Sequence, residues 1–202
     1  TLGGCVDVEA LKQEKERLSQ PAPPPPKPSI LEVDVSTLPK ADRTVGPLDG
    51  DHLLVAAPEN WFVPPHSKRW IFRAQFDRST AYPSIIVTGG ESTATGPNDK
   101  PLVTLGQSTV EWYARRRQRE LEEEVKETGG SLSQDVEAVR IGNRFAIEYG
   151  RNATSDGKTL VRQIVEVIAH GRKYTFELRA LRGTEHQFRP ALLGMVHGSK
   201  IF

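Results

Sequence analysis

Three runs between Arg144 and Leu181, RFAIEYG, TLVRQIVEVIA and KYTFELRAL, alternate apolar and polar residues along much of their length. That alternation constrains the fold more than any other feature of the chain, because a period of two is the signature of half-buried strands. Asp156-Gly157 supplies a turn within the Asn152 to Lys158 connection, and His170-Gly171 a tight reversal between the last two runs. The reading is an antiparallel meander with one face to bury. Phe145, Ile147 and Tyr149 share one side of its first strand, and Tyr174, Phe176, Leu178 and Ala180 one side of its third. Something apolar must cover them, and the segment just upstream is the expected cover.

That segment reads as a long helix. Ser108-Thr109-Val110-Glu111 matches a capping box, and Gly129-Gly130 ends the pattern after about Thr128. Val110, Tyr113, Ala114, Arg117, Leu121 and Val125 fall on one face by three- and four-residue steps, the arginine lying along apolar surface by its stem. On the outside, Arg115, Arg116 and Arg119 stand at helical spacing from Glu120, Glu122 and Glu123. Such pairs contribute a few tenths of a kcal/mol each, and the face is either solvated or a docking surface for a charged partner.

The remaining globular part contributes strands at Ile30–Val35, Leu53–Ala57, Trp70–Phe76 and Pro83–Thr88, with a polar connector up to Asp51. Gly89 to Pro101 reads as a mobile, turn-rich loop. Phe188–Val196 fits a short closing helix with Pro190 in its first turn, and the Ser199-Lys200-Ile201-Phe202 end is expected to pack. The fold class is α/β of the α+β kind, an antiparallel sheet covered by helices.

Residues 1–28 differ in kind from residues 29–202. Leu2-Gly3-Gly4-Cys5 has the form of a bacterial lipobox, and Cys5 is the one cysteine, which excludes an internal disulfide and a multi-cysteine zinc site. Val6 to Gln20 is a polar helical stretch, and Pro21–Pro28 imposes polyproline II, a stiff spacer of about 3.1 Å per residue. With Met195 the only methionine, the chain is expected to begin after a removed or truncated segment. Lipidated at Cys5, it would be held firmly at a membrane, and valine rather than aspartate after the cysteine leans toward the outer membrane. There is no run of about 18 apolar residues. The balance of 27 basic and 26 acidic residues, a net charge of +1, disfavours nucleic acid as a partner.

The order of elements, together with Pro58-x-x-Trp61, Gly142-Asn143-Arg144-Phe145-Ala146, Gly171-Arg172-Lys173-Tyr174-Thr175-Phe176 and Ser199-Lys200-Ile201-Phe202, resembles the PsbP-like family over roughly Leu53 to Phe202. The resemblance implies an α/β/α sandwich. It also implies a binding or assembly role of the kind found in a photosystem II subunit, a Ran-release factor and many bacterial lipoproteins, without carrying over either named partner.

No catalytic signature accompanies it. The histidines are widely spaced, there is no Gly-x-Ser-x-Gly elbow, and Gly89-Gly90 lacks the Gly-Lys-Ser/Thr of a phosphate-binding loop. No metal or cofactor is expected. The leading expectation is a non-catalytic, lipid-anchored protein on the periplasmic face of the outer membrane, binding an envelope protein through Trp61, Gly89, Gly90, Arg115, Arg116 and Arg119. A second reading is a small-ligand carrier with a cleft beside Trp61 and Trp70. A third is a hydrolase in which His52, His66, Asp49 and Asp51 converge.

Overall fold

A computed structural model describes residues 30–65 and 68–202. The expectations for Cys5, the polar helix and the proline spacer, and any role of His66, lie outside the described residues.

The meander forms as its alternation requires and is longer than expected. Strand β6 (Leu132–Ile141) leads into β7 (Arg144–Ser155), β8 (Lys158–Ala169) and β9 (Arg172–Leu181). Asn152, Ala153 and Thr154, read as part of a connection, are paired strand residues opposite Val161, Leu160 and Thr159. Asp156-Gly157 and His170-Gly171 have φ of 51° and 72°, and 52° and 74°. Two successive left-handed residues give the hairpin turn whose twist matches that of the strands. The sheet has seven strands in the order β1-β6-β7-β8-β9-β5-β4, where β1 is Leu31–Val33, β4 Phe72–Gln75 and β5 Ser84–Glu91. Strand β1 runs parallel to β6, Leu31 opposite Val139.

The sheet buries both faces, not one, which corrects the expected cover. Helix α1 (Gln107–Thr128) packs Val110, Tyr113, Ala114 and Leu121 onto Ala138, Ile147, Tyr149, Ile164 and Ile168. Tyr174, Phe176, Leu178 and Ala180 point to the other side, because residues paired across an antiparallel ladder share a face and Phe176 lies opposite Val165 while Glu177 lies opposite Ile164. That side is covered by helix α2 (Glu185–Gly198), through Leu192, Leu193 and Val196, and by a small sheet β10-β3-β2 (Lys200–Ile201, Leu53–Pro58, Ala41–Leu48). The result is the expected α/β/α sandwich, with the second outer layer part helix and part sheet.

Other boundaries move for local reasons. Helix α1 starts one residue before Ser108: Gly106 is its N-cap, and Thr109 Oγ1 accepts from the Gly106 N–H at 3.0 Å, so the box sits two residues earlier than read. Gly129 ends the helix as expected, with φ of 69° and its N–H on Val125 O at 2.9 Å. The expected connector up to Asp51 contains strand β2, largely exposed. Gly89 and Gly90 belong to β5, not a loop, and pair with Tyr174 and Lys173. Helix α2 begins at Glu185, which leaves Pro190 inside it. The chain end packs as expected through Ser199, whose Oγ accepts from Ala56 N at 3.1 Å and donates to Met195 O at 2.7 Å, while Phe202 stays exposed.

The paired glycines give the first prediction. A Cβ on Gly89 would meet Lys173 O and Tyr174 Cδ1 at 2.5 Å, whereas one on Gly90 would meet nothing within 4 Å. Gly89→Ala is expected to cost about 1–3 kcal/mol by overpacking and Gly90→Ala to fall within about 0.5 kcal/mol of wild type, read from urea midpoints at constant slope.

Candidate functional site

A groove of about 860 Å³ lies between α1 and the outer edge of the large sheet. It exists because β1 is only three residues long and pairs with Val139, Arg140 and Ile141, so β6 from Leu132 to Ala138 has no strand on its outer side among the described residues. An open edge of this kind carries unpaired backbone groups that a polypeptide can complete. Among the described residues the Val136 N–H is closed by a side chain, donating to Gln118 Oε1 at 2.7 Å, while the same amide's Nε2 donates to Glu122 and Asp135 at 2.8 and 3.3 Å. Trp112, Val136 and Leu31, the last 47% exposed, supply apolar surface, and Arg115, Arg119, Glu122 and Asp135 supply charge of both signs.

Beneath the helix a buried polar cluster fixes one wall of the groove. Glu166, 1% exposed, projects from β8 toward α1. Its Oε1 accepts from Tyr149 Oη at 2.7 Å and Arg117 Nε at 3.1 Å, and its Oε2 from Tyr113 Oη at 2.9 Å, with Lys173 Nζ at 3.0 Å. Burial alone would raise the Glu166 carboxyl, but the charges of Lys173 and Arg117 and the tyrosine hydrogen bonds hold it below the usual carboxylate range. Burial, then the adjoining Glu166 charge, pushes both tyrosine hydroxyls far up. Every lone pair of the carboxylate is engaged, so the cluster is a structural brace rather than an acid or base open to substrate.

The six residues expected to form one binding surface are divided by the structure. Arg115 and Arg119 line the groove and have no ion-pair partner among the described residues, which corrects their assignment to outward pairs. Arg116 lies outside it, bonded to Glu120 at 2.9 Å and to Thr95 O at 3.2 Å and the Thr95 hydroxyl, and stacked over Trp112. Trp61 is a core residue, 8% exposed, meeting Phe76 and Phe188 edge to face at 5.7 and 6.2 Å. Gly89 lines a separate hollow of about 410 Å³ with Trp70 and Asp49, and Gly90 is plain strand. Trp61 and Trp70 thus border different hollows.

Of the residues expected to converge, Asp49 is tied to Arg172 and Tyr174 and also feels the charge of His52. Its Oδ2 is taken by Arg172 Nη2 and Nε at 2.7 and 3.0 Å and by Tyr174 Oη at 2.7 Å. Against the upward push of burial, those hydrogen bonds hold it low, while the Tyr174 hydroxyl, through burial and this carboxylate, is pushed up to about 12. Asp51 is exposed and a turn residue with φ of 71°. Glu166 escaped sequence reading, although its place in the run Val165-Glu166-Val167-Ile168 was a usable signal: a carboxylate on a strand apolar on both faces requires partners.

No protein-family model and no curated relative matches the chain. Among solved structures it is similar to the cyanobacterial PsbP, CyanoP, of Synechocystis sp. PCC 6803, with a TM-score of 0.51, 11% identity, and coverage of 79% of this chain and 92% of that one. It is similar to LpqN of Mycobacterium tuberculosis, involved in cell envelope biogenesis, at TM-score 0.44 and 18% identity over 74% of this chain and 82% of that one. A protein of Bacteroides thetaiotaomicron gives TM-score 0.44 and 10% identity over 76% of this chain, which spans 46% of that protein's length. The CyanoP likeness shows that the chain has the PsbP-like fold, as the sequence resemblance implied.

Glu166→Gln is expected to cost about 3 kcal/mol, the lower end for breaking a buried ion pair, since Lys173 keeps 33% of its side chain in solvent. Because the folded carboxyl is held below its ordinary value of 4.5, its stabilisation is complete above that pH and is lost as pH falls through the folded value. Urea unfolding at a series of pH values should show a constant gap between wild type and the variant from pH 7 to about 4.5, then a narrowing gap.

Proposed function

We propose that the chain is a non-catalytic accessory module of the bacterial envelope, anchored through a lipidated Cys5, that holds an extended segment of a partner protein in the groove beside α1. The observation that carries this reading is the groove's construction, an apolar floor next to an open stretch of β6 edge, with Arg115 and Arg119 on one rim and Asp135 below. Backbone pairing at the edge supplies affinity, and the unpaired arginines select an acidic neighbour in the partner. No helix among the described residues is long and apolar enough to cross a membrane, and in this reading attachment is the work of Cys5 and of the proline spacer that sets the domain off the surface. The PsbP-like fold is compatible with such a role, and LpqN's part in envelope biogenesis points the same way.

Two measurements test it. Expressed with its native upstream sequence in a bacterial host, wild type should gain a diacylglyceryl-plus-acyl mass and fractionate with membranes, and Cys5→Ala should lose both; an unmodified, soluble wild type would remove the anchor. A photo-cross-linking residue at Arg119 should capture a discrete partner in cells, with yield falling several-fold in an Arg115→Glu variant. Equal capture from position 43, on the far side of the domain, would count against the groove.

A further inference from the structure

Helix α1 lies mainly over β6 and β7, and the same sheet face continues past it across β9, β5 and β4. There the register sets Ser84 directly opposite Arg179, and Arg179 opposite Arg162. In the next row Ile86 separates Arg73 from Glu177. Residues paired in this way share a face, so three arginines stand together on the helix-free part of the sheet.

Their charge is not balanced. Glu177 is held by Arg162 through Nε and Nη2 at 2.7 and 2.6 Å and by Arg179 Nε at 2.5 Å. Among the described residues Arg73 has no carboxylate partner; its guanidinium lies 5.1 Å from the Trp70 ring centroid, and its buried Nε has no hydrogen-bond partner there. Burial, then the charge of Arg179, lowers its affinity for its proton. Ser84, 1% exposed, also has a buried hydroxyl without a partner. Orphaned buried polar groups are uncommon, and two of them in adjacent rows beside unbalanced guanidinium charge require a reason. Three cations against one carboxylate leave an excess of two, which matches the charge of a phosphate monoester, and planar guanidinium groups bind phosphate oxygens in pairs.

We propose that Arg73 and Arg179, with the Ser84 hydroxyl, form a binding site for a phosphate group. Arg179 commits only Nε to Glu177, so its outer nitrogens are the second fork, and Arg162 keeps Glu177 in place without joining the site. The phosphate comes either from a small soluble phosphate or from the headgroup of a membrane lipid.

The test is a titration of the unlipidated 202-residue chain with inorganic phosphate, following arginine Nε–H resonances, in wild type, Arg73→Gln and Arg43→Gln. Saturable shifts confined to few arginines, at least tenfold weaker in R73Q and unchanged in R43Q, are expected. R73Q should also match or exceed wild-type melting temperature without phosphate, since it removes a repelling charge, and should lose the phosphate-induced rise, which separates loss of binding from loss of fold. A parallel flotation assay uses phosphatidylcholine vesicles with and without phosphatidic acid. Binding that needs phosphatidic acid and Arg73 supports the site and makes a headgroup its ligand, and saturable binding of inorganic phosphate alone supports it with a soluble ligand. Linear, non-saturating shifts together with no vesicle binding, or equal behaviour of R73Q and wild type in both assays, overturn the proposal.

Discussion

Two buried carboxylates on neighbouring strands anchor the layers of this protein. Glu148 on β7 and Glu166 on β8 stand one register step apart, Glu148 opposite Val165 and Ile147 opposite Glu166, so they project to opposite faces of the sheet. Each is met by an arginine from the helix on its own side. Arg117 of α1 reaches Glu166, and Arg189 of α2 clasps Glu148 with Nε and Nη2 both at 2.6 Å, joined by Gln163 Nε2 at 2.9 Å. A carboxylate left alone at such depth would cost several kcal/mol, so each helix is required on its face in one orientation. Apolar packing makes the sandwich stable, and these pairs make its geometry specific.

The groove inherits its shape from this brace. Tyr113 and Arg117 turn inward to Glu166, Gln118 turns sideways to the β6 edge, and Arg115 and Arg119 face out, all within two turns of one helix. The rim is therefore held by the same residues that hold the core, a rigid support of the kind on which a recognition surface keeps its geometry. The loop after β5 is tied to the helix in turn by Arg116 and Thr95. The far side of the domain is bound by Arg144, whose guanidinium donates to the Val196 carbonyl and to Ser199 O at 2.9 Å, which gives the Gly142-Asn143-Arg144-Phe145 motif a physical role in closing α2.

The meander, the amphipathic helix and the closing helix were legible because each shows a clear period and a recognisable turn or cap. Strand β2 was not. Lying on the rim of the small sheet, it buries little beyond part of Val45 and Leu48, so nothing in its composition demands alternation. Strand β6 was hidden by its irregular register between Leu132 and Glu137: Leu132 and Val136 serve one face, yet Gln134 between them bonds Gln163 on the other. A bulge of this kind breaks the period on which reading depends. Helix spacing alone put Arg115 and Arg119 together on the exposed side of the helix, where both border the groove. Trp61 misled because an aromatic residue near a turn looks the same whether it packs or projects. The groove itself depends on how far β1 extends along β6, a long-range fact with no local signature.

The placement of β1 and β10 bears on how the chain reaches this structure. Strands β6 to β9 pair with sequence neighbours and need only short loops closed. By contrast, Leu31 must find Val139, and Ile201 must find Leu53, across more than half the chain in each case. Loop-closure entropy makes such contacts late and slow relative to hairpins. The meander is therefore expected to form before β1 and β10 dock, and until they arrive one border of each sheet is unfinished, which makes the time before closure the interval in which self-association competes with folding.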